Sequence, residues 1–286
     1  MKFFKKYLLQ ILLVLLIIFT LSIWFFIFSQ GENDYLKVVF LDVGQGDAIY
    51  IEAPNGKQIL IDSGPDSKLL SSLAKVMPFA DRSIDMIIST HPDSDHIGGF
   101  PVFLDNYKVT SIIENGSISD TKIYSSLEEK ILKKKINKII AHRGMHIILD
   151  EEKNIYLDIL FPDRNVLEMD SNDASIVGKL TYRETSFMFM GDANLYTENL
   201  IEWNEKDSTL DSDVIKLGHH GARTSSTILW LEKVSPEIAI ISVDKNNRYG
   251  HPHKELLERL STLNIPYLST ENGNLIFKSD GVNLTY

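Results

Sequence analysis

The sequence predicts an α+β fold in which two β-sheets pack face to face, with helices outside and a membrane helix in front. Strand-like runs occur in antiparallel groups with helical segments between them, which is typical of layered sheets. The chain of 286 residues is long enough to build a sizeable core. An apolar run without charged side chains occupies residues 7–28, ahead of all these strands.

Residues 1–30 are predicted to be a membrane anchor. Three lysines within residues 1–6 precede the apolar run at residues 7–28. As a helix this run would be about 33 Å long, close to the hydrocarbon thickness of a bilayer. Residues 24–30 (WFFIFSQ) offer no A-x-A pattern of a signal-peptide cleavage site, which favours an uncleaved anchor over a cleaved signal. Because the basic end stays inside, we expect a single-pass protein with a cytoplasmic N-terminus and an extracytoplasmic folded domain.

Composition restricts the chemistry of the exported part. The chain has no cysteine, which excludes disulfides, thiolate metal sites and thiol catalysis. Three of its 29 Lys+Arg lie in residues 1–28, so the remainder carries 26 against 39 Asp+Glu, a net charge of −13. An acidic surface counts against broad binding of phosphate polymers. It is a weak argument, because carboxylates that hold metal ions lose their local negative sign.

The folded domain is predicted over residues 36–286, after a polar linker at residues 31–35. It opens with strands at 36–43, 48–53 and 58–61, separated by turns at 44–47 and 54–57, which predicts an antiparallel meander. Asp47 and Asp62 follow two of these strands, and each alone is typical of a turn. A helix at 67–77 and a buried strand at 84–89 come next.

Helices and strands then alternate to the end of the chain. Helices are predicted at residues 100–107, 121–138, 194–204, 225–234 and 253–263. Strands are predicted at residues 110–114, 139–149, 154–161, 174–182, 187–190, 214–217 and 237–243, with a β tail at 267–285. The 121–138 helix has an apolar face formed by Ile123, Leu127, Ile131 and Leu132. Its lysine cluster predicts a solvated face, with a phosphate-polymer track as the sharper alternative.

The polar stretch at residues 90–99 (THPDSDHIGG) is the centre of the functional hypothesis. It places His91, Asp93, Asp95 and His96 on a tight loop at the end of the buried strand. Imidazole nitrogen and carboxylate oxygen at this density indicate ligands of a divalent cation. The alternative is a polar loop with Asp93 or Asp95 as a helix N-cap, but capping needs only one acid.

Three later strand ends carry residues of the same kind. Asp192 follows one apolar strand, and His219 and His220 follow another. The loop after the strand at 237–243 carries Arg248 and His251. Together with the 90–99 loop, these segments hold six of the eight histidines. We therefore expect the four strand ends to meet at one edge of the fold.

These motifs resemble the metallo-β-lactamase superfamily and, within it, the hydrolase domain of the ComEC competence protein and its stand-alone relatives. The matching segments are residues 41–48 (LDVGQGDA), 60–64 (LIDSG), 90–99, 191–192 (GD), 216–221 (KLGHHG) and 249–253 (YGHPH). The resemblance covers about residues 36–286. It implies a four-layer αββα sandwich with a two-metal hydrolytic site along one edge.

The resemblance also implies a role for individual residues. His91, Asp95 and His96 match the metal-binding loop, and Asp192 matches the carboxylate that bridges two ions. Either His219 or His220 matches the late histidine ligand, and both alternatives stay open.

Three further acids and the segment 172–175 bear on the site. Asp62 matches the acid that supports the loop behind the ligands, and Asp47 is expected to act in the same way. Asp93 stands where most members have a second histidine, and residues 172–175 lack another. The site is therefore richer in oxygen, which shifts the expected ions toward Mn²⁺, with Zn²⁺ also considered.

The function predicted from the resemblance is a metal-dependent phosphodiesterase or nuclease that acts on DNA, with single-stranded DNA expected. Arg248 would bind phosphoryl oxygens and His251 would protonate the leaving oxygen, although both also suit a structural loop. One alternative is the same metal site acting on a cell-wall phosphodiester, a nucleotide or a β-lactam. A second is a non-catalytic binding module on this scaffold.

Overall fold

The computed structural model describes residues 2–29 and 34–286, and the chain separates into two compact units, Met1–Asp34 and Tyr35–Tyr286. Most of the predicted linker, residues 31–33, lies outside the described residues, as does the predicted end of the anchor at Gln30.

The described part of the first unit is the helix α1 (Lys2–Ser29). Its window Tyr7–Trp24 has a mean hydropathy of 2.5, and no part of that window is buried. The helix is thus long and apolar enough to cross a membrane by length and composition, a test that an N-terminal signal sequence also passes. Anchoring and orientation remain predictions.

The second unit is built from two sheets and the helices that cover them. The strands of the first sheet are β1 (Leu36–Phe40), β2 (Ile49–Glu52), β3 (Gln58–Ile61), β4 (Ser83–Ser89), β5 (Lys108–Glu114), β6 (Asn137–Ile140), β14 (Leu275–Ser279) and β15 (Leu284–Thr285). The strands of the second sheet are β7 (His146–Asp150), β8 (Ile155–Phe161), β9 (Val177–Tyr182), β10 (Thr185–Phe189), β11 (Val214–Lys216), β12 (Ile238–Ile241) and β13 (Tyr267–Ser269).

The α-helices of this unit are α2 (Lys68–Leu73), α3 (Ser94–Ile97), α4 (Phe100–Asn106), α5 (Lys122–Lys134), α6 (Leu195–Asn204), α7 (Asp207–Leu210), α8 (Ile228–Val234) and α9 (Lys254–Thr262). Short 3₁₀ turns occur at Gly218–Gly221 and Thr270–Asn272. The one-turn helix α7 was not predicted from the sequence.

Both sheets are mixed, which corrects the expectation of antiparallel groups alone. The first runs in the order β15-β14-β1-β2-β3-β4-β5-β6, and the second in the order β13-β12-β11-β10-β9-β8-β7. The predicted opening meander is confirmed by the antiparallel pairs β1–β2 and β2–β3. From β3 to β6 and from β10 to β13 the pairing is parallel. Each of these steps is a crossover through a helix, as parallel neighbours require.

Three apolar clusters divide the unit into four layers. The cluster between the sheets contains Phe40, Phe187 and Phe277, whose rings meet edge to face. A second cluster packs α2, α4 and α5 on the outer face of the first sheet. A third packs α6, α8 and α9 on the outer face of the second sheet. The predicted αββα sandwich is confirmed. The strand ends that carry the candidate ligand residues lie along one edge of it.

The predicted helix at 121–138 is shorter than expected. It ends at Lys134, because Lys135 adopts a left-handed conformation with φ 56° and closes the C-terminus. Lys138 lies on β6 instead, where it pairs with Glu114 and Glu128. Leu132 was predicted to lie on the apolar face of this helix, but its side chain is 81% exposed. Two lysines of the cluster, Lys130 and Lys138, are paired to acids. The cluster therefore gives little support to a surface that binds a phosphate polymer.

The single strand predicted at 139–149 is two strands in different sheets. Strand β6 closes the edge of the first sheet and β7 begins the second. Between them the chain turns at Gly144, whose φ of 83° suits a residue without a Cβ. This turn carries the chain from one layer to the other.

Candidate metal centre

The polar stretch after β4 is a short extended segment followed by one helical turn. His91 lies just beyond the end of β4, and Asp95 and His96 lie on α3. Asp93 occupies the N-cap position with φ −74° and ψ 148°, but its side chain makes no capping hydrogen bond. The predicted loop is thus partly helical. Since the proposed capping role is not used, the Asp93 carboxylate is available for another function.

His96 is held from behind by Asp62. The His96 Nδ1 lies 2.8 Å from the Asp62 Oδ2, and both side chains are buried. Asp62 has a φ of 57°, and its carboxylate also accepts hydrogen bonds from the Thr90 amide (2.8 Å) and hydroxyl (2.6 Å). The predicted supporting position of Asp62 therefore agrees with the geometry, and the His96 Nε2 is turned toward the centre.

Asp47 reaches the centre from the turn between β1 and β2. The turn needs glycine at position 46, where an added Cβ would lie 2.1 Å from the Asp95 carbonyl oxygen. Asp47 is buried and pairs with the equally buried Lys216, which also donates to the Gly191 carbonyl oxygen at 3.0 Å. Lys216 therefore balances part of the acid charge, a role that its position on an apolar strand does not indicate.

Asp192 and His220 close the centre opposite α3. The Asp192 Oδ1 lies 3.3 Å from the His96 Nε2, and its Oδ2 lies 3.4 Å from the His220 Nε2. The His220 Nε2 is also 3.5 Å from the Asp95 Oδ2. Residues far apart in sequence thus bring four side chains to one point, as the strand-end argument predicted.

The two candidate late histidines differ in position. His220 is buried, and its Nδ1 donates to the Ser242 carbonyl oxygen at 3.0 Å, which leaves the Nε2 free to face the acids. The His219 side chain is 27% exposed, and its Nε2 is 3.9 Å from the Asp192 Oδ2. The geometry favours His220 as the ligand, with His219 at the wall of the pocket.

His91 and Asp93 form the other side of the centre. The His91 Nδ1 meets the hydroxyls of Thr90 (3.0 Å) and Ser175 (3.2 Å). Because the Thr90 hydroxyl proton is directed to Asp62, the His91 Nδ1–H is the donor and the Nε2 faces inward. The Asp93 Oδ2 lies 3.7 Å from that Nε2, and its Oδ1 accepts a bond from Ser171 at 2.7 Å. Asp93 is the most open member, with 43% of its side chain exposed.

Unpaired buried atoms test whether these residues fit a metal ion. Among the described residues, the Nε2 atoms of His91, His96 and His220 and the Oδ1 of Asp192 are buried without a hydrogen-bond partner. Leaving such atoms unpaired costs roughly 1–3 kcal/mol each, so a ligand that satisfies them all is favoured. Imidazole nitrogens and carboxylate oxygens are donors of divalent cations. The donor set therefore fits the divalent metal binding that the fold implies.

The acids of this centre remain ionised despite their burial. Burial alone would raise the pKa of Asp192, but the His220 and His96 rings hold it well below its ordinary value. Burial opposes the ionised form of Asp95 as well, but the nearby His220 and His96 rings lower its pKa. His91 behaves differently, since burial lowers its pKa to about 3 and keeps it neutral. Ionised acids and the neutral His91 imidazole are in the protonation states that metal ligation needs. In spite of burial, the same acids raise the pKa values of His96 and His220 well above their ordinary value, so a metal ion would displace a proton from each of these rings.

The pocket above this centre has a volume of about 170 Å³ and is lined by His251 but not by Arg248. Burial and the neighbouring His220 and His219 rings lower the pKa of His251 to about 4. A neutral imidazole has no spare proton, so the expected protonation of the leaving oxygen does not suit it. Arg248 is exposed and lines an adjoining cleft with Asp95. Arg248 therefore lies beside the pocket over the centre and not in its lining, and its contact with a reacting phosphoryl group stays a prediction.

Glu198 on α6 anchors the segment that follows the histidine pair. Its buried carboxylate accepts backbone hydrogen bonds from Ser226 at 2.5 Å and Thr227 at 3.1 Å. Thr227 in turn caps α8 by accepting a hydrogen bond from the Trp230 amide. Burial raises the pKa of Glu198 to about 7 in spite of these donors.

This shift predicts a pH-dependent stability. The pKa of Glu198 is higher in the folded chain than its unfolded value of 4.5, so the protonated carboxyl stabilises the fold. This contribution is fully present below pH 4.5 and is lost as pH rises through about 7. Between pH 5 and pH 8 we expect the free energy of unfolding to fall by about 2–3 kcal/mol relative to Glu198→Gln. Urea denaturation of the full-length chain in detergent measures it, with the exposed Glu232→Gln as control. If the free energy of unfolding changes with pH equally in the wild type and in Glu198→Gln, the raised pKa of Glu198 is contradicted.

A family model described as the metallo-beta-lactamase superfamily matches residues 41–244. Among curated proteins, ComE operon protein 3 of Bacillus subtilis (strain 168) is 30% identical over 289 residues, covering 92% of this chain and 35% of that protein. Competence protein ComA of Neisseria gonorrhoeae is 26% identical over 244 residues, covering 84% of this chain and 31% of that protein. The chain thus spans about a third of the length of these relatives.

A solved structure supports the fold. The metallo-beta-lactamase fold protein YhfI from Bacillus subtilis matches 86% of this chain and all of its own chain, with a TM-score of 0.55 and 11% identity. At that identity the likeness concerns the fold alone. The resemblance predicted from the motifs is confirmed: the chain belongs to the metallo-beta-lactamase superfamily, and the curated proteins to which it is similar are ComEC-like competence proteins.

Proposed function

We propose that this chain is a membrane-anchored, extracytoplasmic phosphodiesterase that hydrolyses DNA with the help of two divalent metal ions, Mn²⁺ or Zn²⁺. One observation carries the proposal. Asp95, His96, Asp192 and His220 converge at one point, and several of their ligand atoms are buried without a partner among the described residues. A metallo-hydrolase is the activity that this fold and donor set support.

The residues divide between two ion positions. Asp95, His96 and His220 would hold one ion, and His91 and Asp93 would hold the other. Asp192 has a ligand atom within 4.8 Å of those of His91 and His96, and its Oδ2 lies 3.4 Å from the His220 Nε2, so it borders both positions and suits a shared ligand. Bound divalent ions would supply Lewis acidity toward a phosphoryl oxygen and a lowered pKa of water.

The chain's other residues would position the substrate. Asp62 and the Ser242 carbonyl fix the ring orientations of His96 and His220, so that both Nε2 atoms point into the pocket. His251, being neutral, suits a hydrogen bond to a phosphoryl oxygen. Arg248 beside the pocket suits the next backbone phosphate of a strand, because its guanidinium matches phosphate oxygens in planar geometry.

Support for DNA as the substrate comes from the relatives. One of them is named a competence protein, and DNA uptake would bring single strands to a domain outside the cytoplasm. The helix α1 supports attachment to the membrane by its length and hydropathy. The acidic charge of the exported part favours a second candidate, in which the same centre hydrolyses a smaller exported phosphodiester or nucleotide.

A cleavage assay on the full-length chain in detergent tests the proposal. With Mn²⁺ we expect a labelled single-stranded DNA to be cut, and EDTA should stop the reaction. A short phosphodiester should be hydrolysed with a lower kcat/KM if DNA is the preferred substrate. Metal binding without cleavage of any phosphodiester would contradict the proposal and favour a binding module.

A further inference from the structure

A second cleft of about 350 Å³ adjoins the pocket over the metal centre. Gln45, Asp95 and Tyr249 line both spaces, so the two are continuous along these side chains. A volume of this size is typical of small-ligand sites. A molecule with a phosphate over the metal centre could therefore extend a second group into this cleft.

The lining of the cleft carries more acid than base. The carboxylates of Asp95 and Asp244, which repel an anion, stand against one cation, the Arg248 guanidinium. The other lining side chains are uncharged, and among them are the amides of Gln45 and Asn246 and the ring of Tyr249. Amide groups and an aromatic face are what proteins use to hold nucleobases.

Tyr249 is held in place yet accessible. Its side chain is 51% exposed. The Tyr249 ring lies near-parallel to the His251 ring, with centroids 5.9 Å apart and 23° between the planes. The Arg248 guanidinium lies 5.2 Å from the Tyr249 ring centre and donates to its hydroxyl at 3.2 Å. The Asn247 side chain braces the loop by accepting from the amides of Tyr249 and His251.

Gln45 supplies an independent observation that points to a ligand. Its Oε1 is buried and has no hydrogen-bond partner among the residues that the structure describes. The side chain stands on the turn between β1 and β2, where it borders both spaces. An acceptor in that position is satisfied by an N–H group of a ligand, and the exocyclic amines and ring N–H groups of bases are such donors.

We propose that this cleft binds a nucleobase, stacked on Tyr249, of the strand whose phosphodiester lies over the metal centre. The inference rests on the proposed function in taking a nucleic acid strand as the substrate. It adds that the base beside the cleaved bond is held by the protein. Since a base must leave its stack to enter the cleft, the subsite selects single strands over duplexes.

Substitution of Tyr249 tests the subsite kinetically. On single-stranded DNA, Tyr249→Ala should lower kcat/KM about tenfold or more, mainly through a higher KM, because stacking is lost. On a strand of the same length with abasic sites it should change kcat/KM less than about threefold. Tyr249→Phe keeps the ring and should retain nearly full activity on both strands. An equal loss on normal and abasic strands would overturn the proposal.

Binding of mononucleotides separates this inference from the proposed activity. Deoxyadenosine 5′-phosphate and deoxyribose 5-phosphate are phosphomonoesters that differ only in the base. By titration calorimetry with Mn²⁺, the wild type should bind the nucleotide at least about tenfold more tightly, and Tyr249→Ala should remove that preference. Equal affinities in the wild type would overturn the subsite. If the wild type prefers the nucleotide but cleaves no DNA strand, the proposed phosphodiesterase activity is wrong, whereas the base-binding cleft is supported.

Discussion

Replacing Asp192 by asparagine is expected to reduce cleavage of single-stranded DNA by more than about 100-fold, since even a partner behind the ligands is typically worth 10–100-fold. Asparagine preserves the shape of the side chain but removes the anion that lies between His96 and His220. The loss should appear in metal content as well, measured as bound Mn²⁺ per chain after dialysis. The substitution would thus remove the ligand that we propose both ion positions share.

Asp105→Asn is a suitable control for that experiment. Asp105 is exposed and pairs with Lys130 at 2.5 Å on the helical surface, so both activity and metal content should match the wild type. Thermal denaturation should show that Asp192→Asn is folded, because loss of activity through unfolding carries no mechanistic weight. A folded Asp192→Asn chain that still cleaves DNA at the wild-type rate would rule out the proposed centre.

The second large effect is expected from the histidine pair. His220→Ala should lower the bound metal by at least one ion per chain and bring hydrolysis to background. The reason is that its Nε2 faces both Asp95 and Asp192 within 3.5 Å. His219→Ala should keep most of the metal and lose activity only in part, since that ring is partly exposed at the pocket wall. Metal titration and DNA cleavage on the same preparations measure both results.

The exposed His142→Ala controls for the general effect of removing an imidazole. The opposite ranking, with metal lost from His219→Ala and retained by His220→Ala, would assign the ligand to the other histidine. It would also require the 218–221 turn to rearrange, because in the structure the His220 Nδ1 is committed to the Ser242 carbonyl.

Much of the centre follows from local sequence. Asp192 and the histidine pair each come directly after a short apolar strand, and strand ends of one sheet meet at one edge. The ligand types and their common location could therefore be predicted without coordinates. The membership of the superfamily rested on the same motifs.

The remaining features depend on geometry between distant segments. The choice of His220 over His219 depends on backbone conformations of φ 53° and φ 49°, which turn the two rings apart. Lys216 looks like an ordinary strand residue, and only the fold places it against Asp47. The parallel halves of the sheets were missed because β-branched strands look alike in sequence whichever way their neighbours run.

The last strands of the chain complete the sheet that begins with its first strand. Leu36 on β1 lies opposite Ser279 on β14, and the Asp42 amide donates to the Asn274 side chain across 232 positions of sequence. Such long-range pairing makes folding slow, since distant segments must find each other before either is protected. A chain emerging from a ribosome would expose the bare edge of β1 until β14 has been synthesised. Removal of β14 should therefore produce aggregation rather than a smaller folded domain.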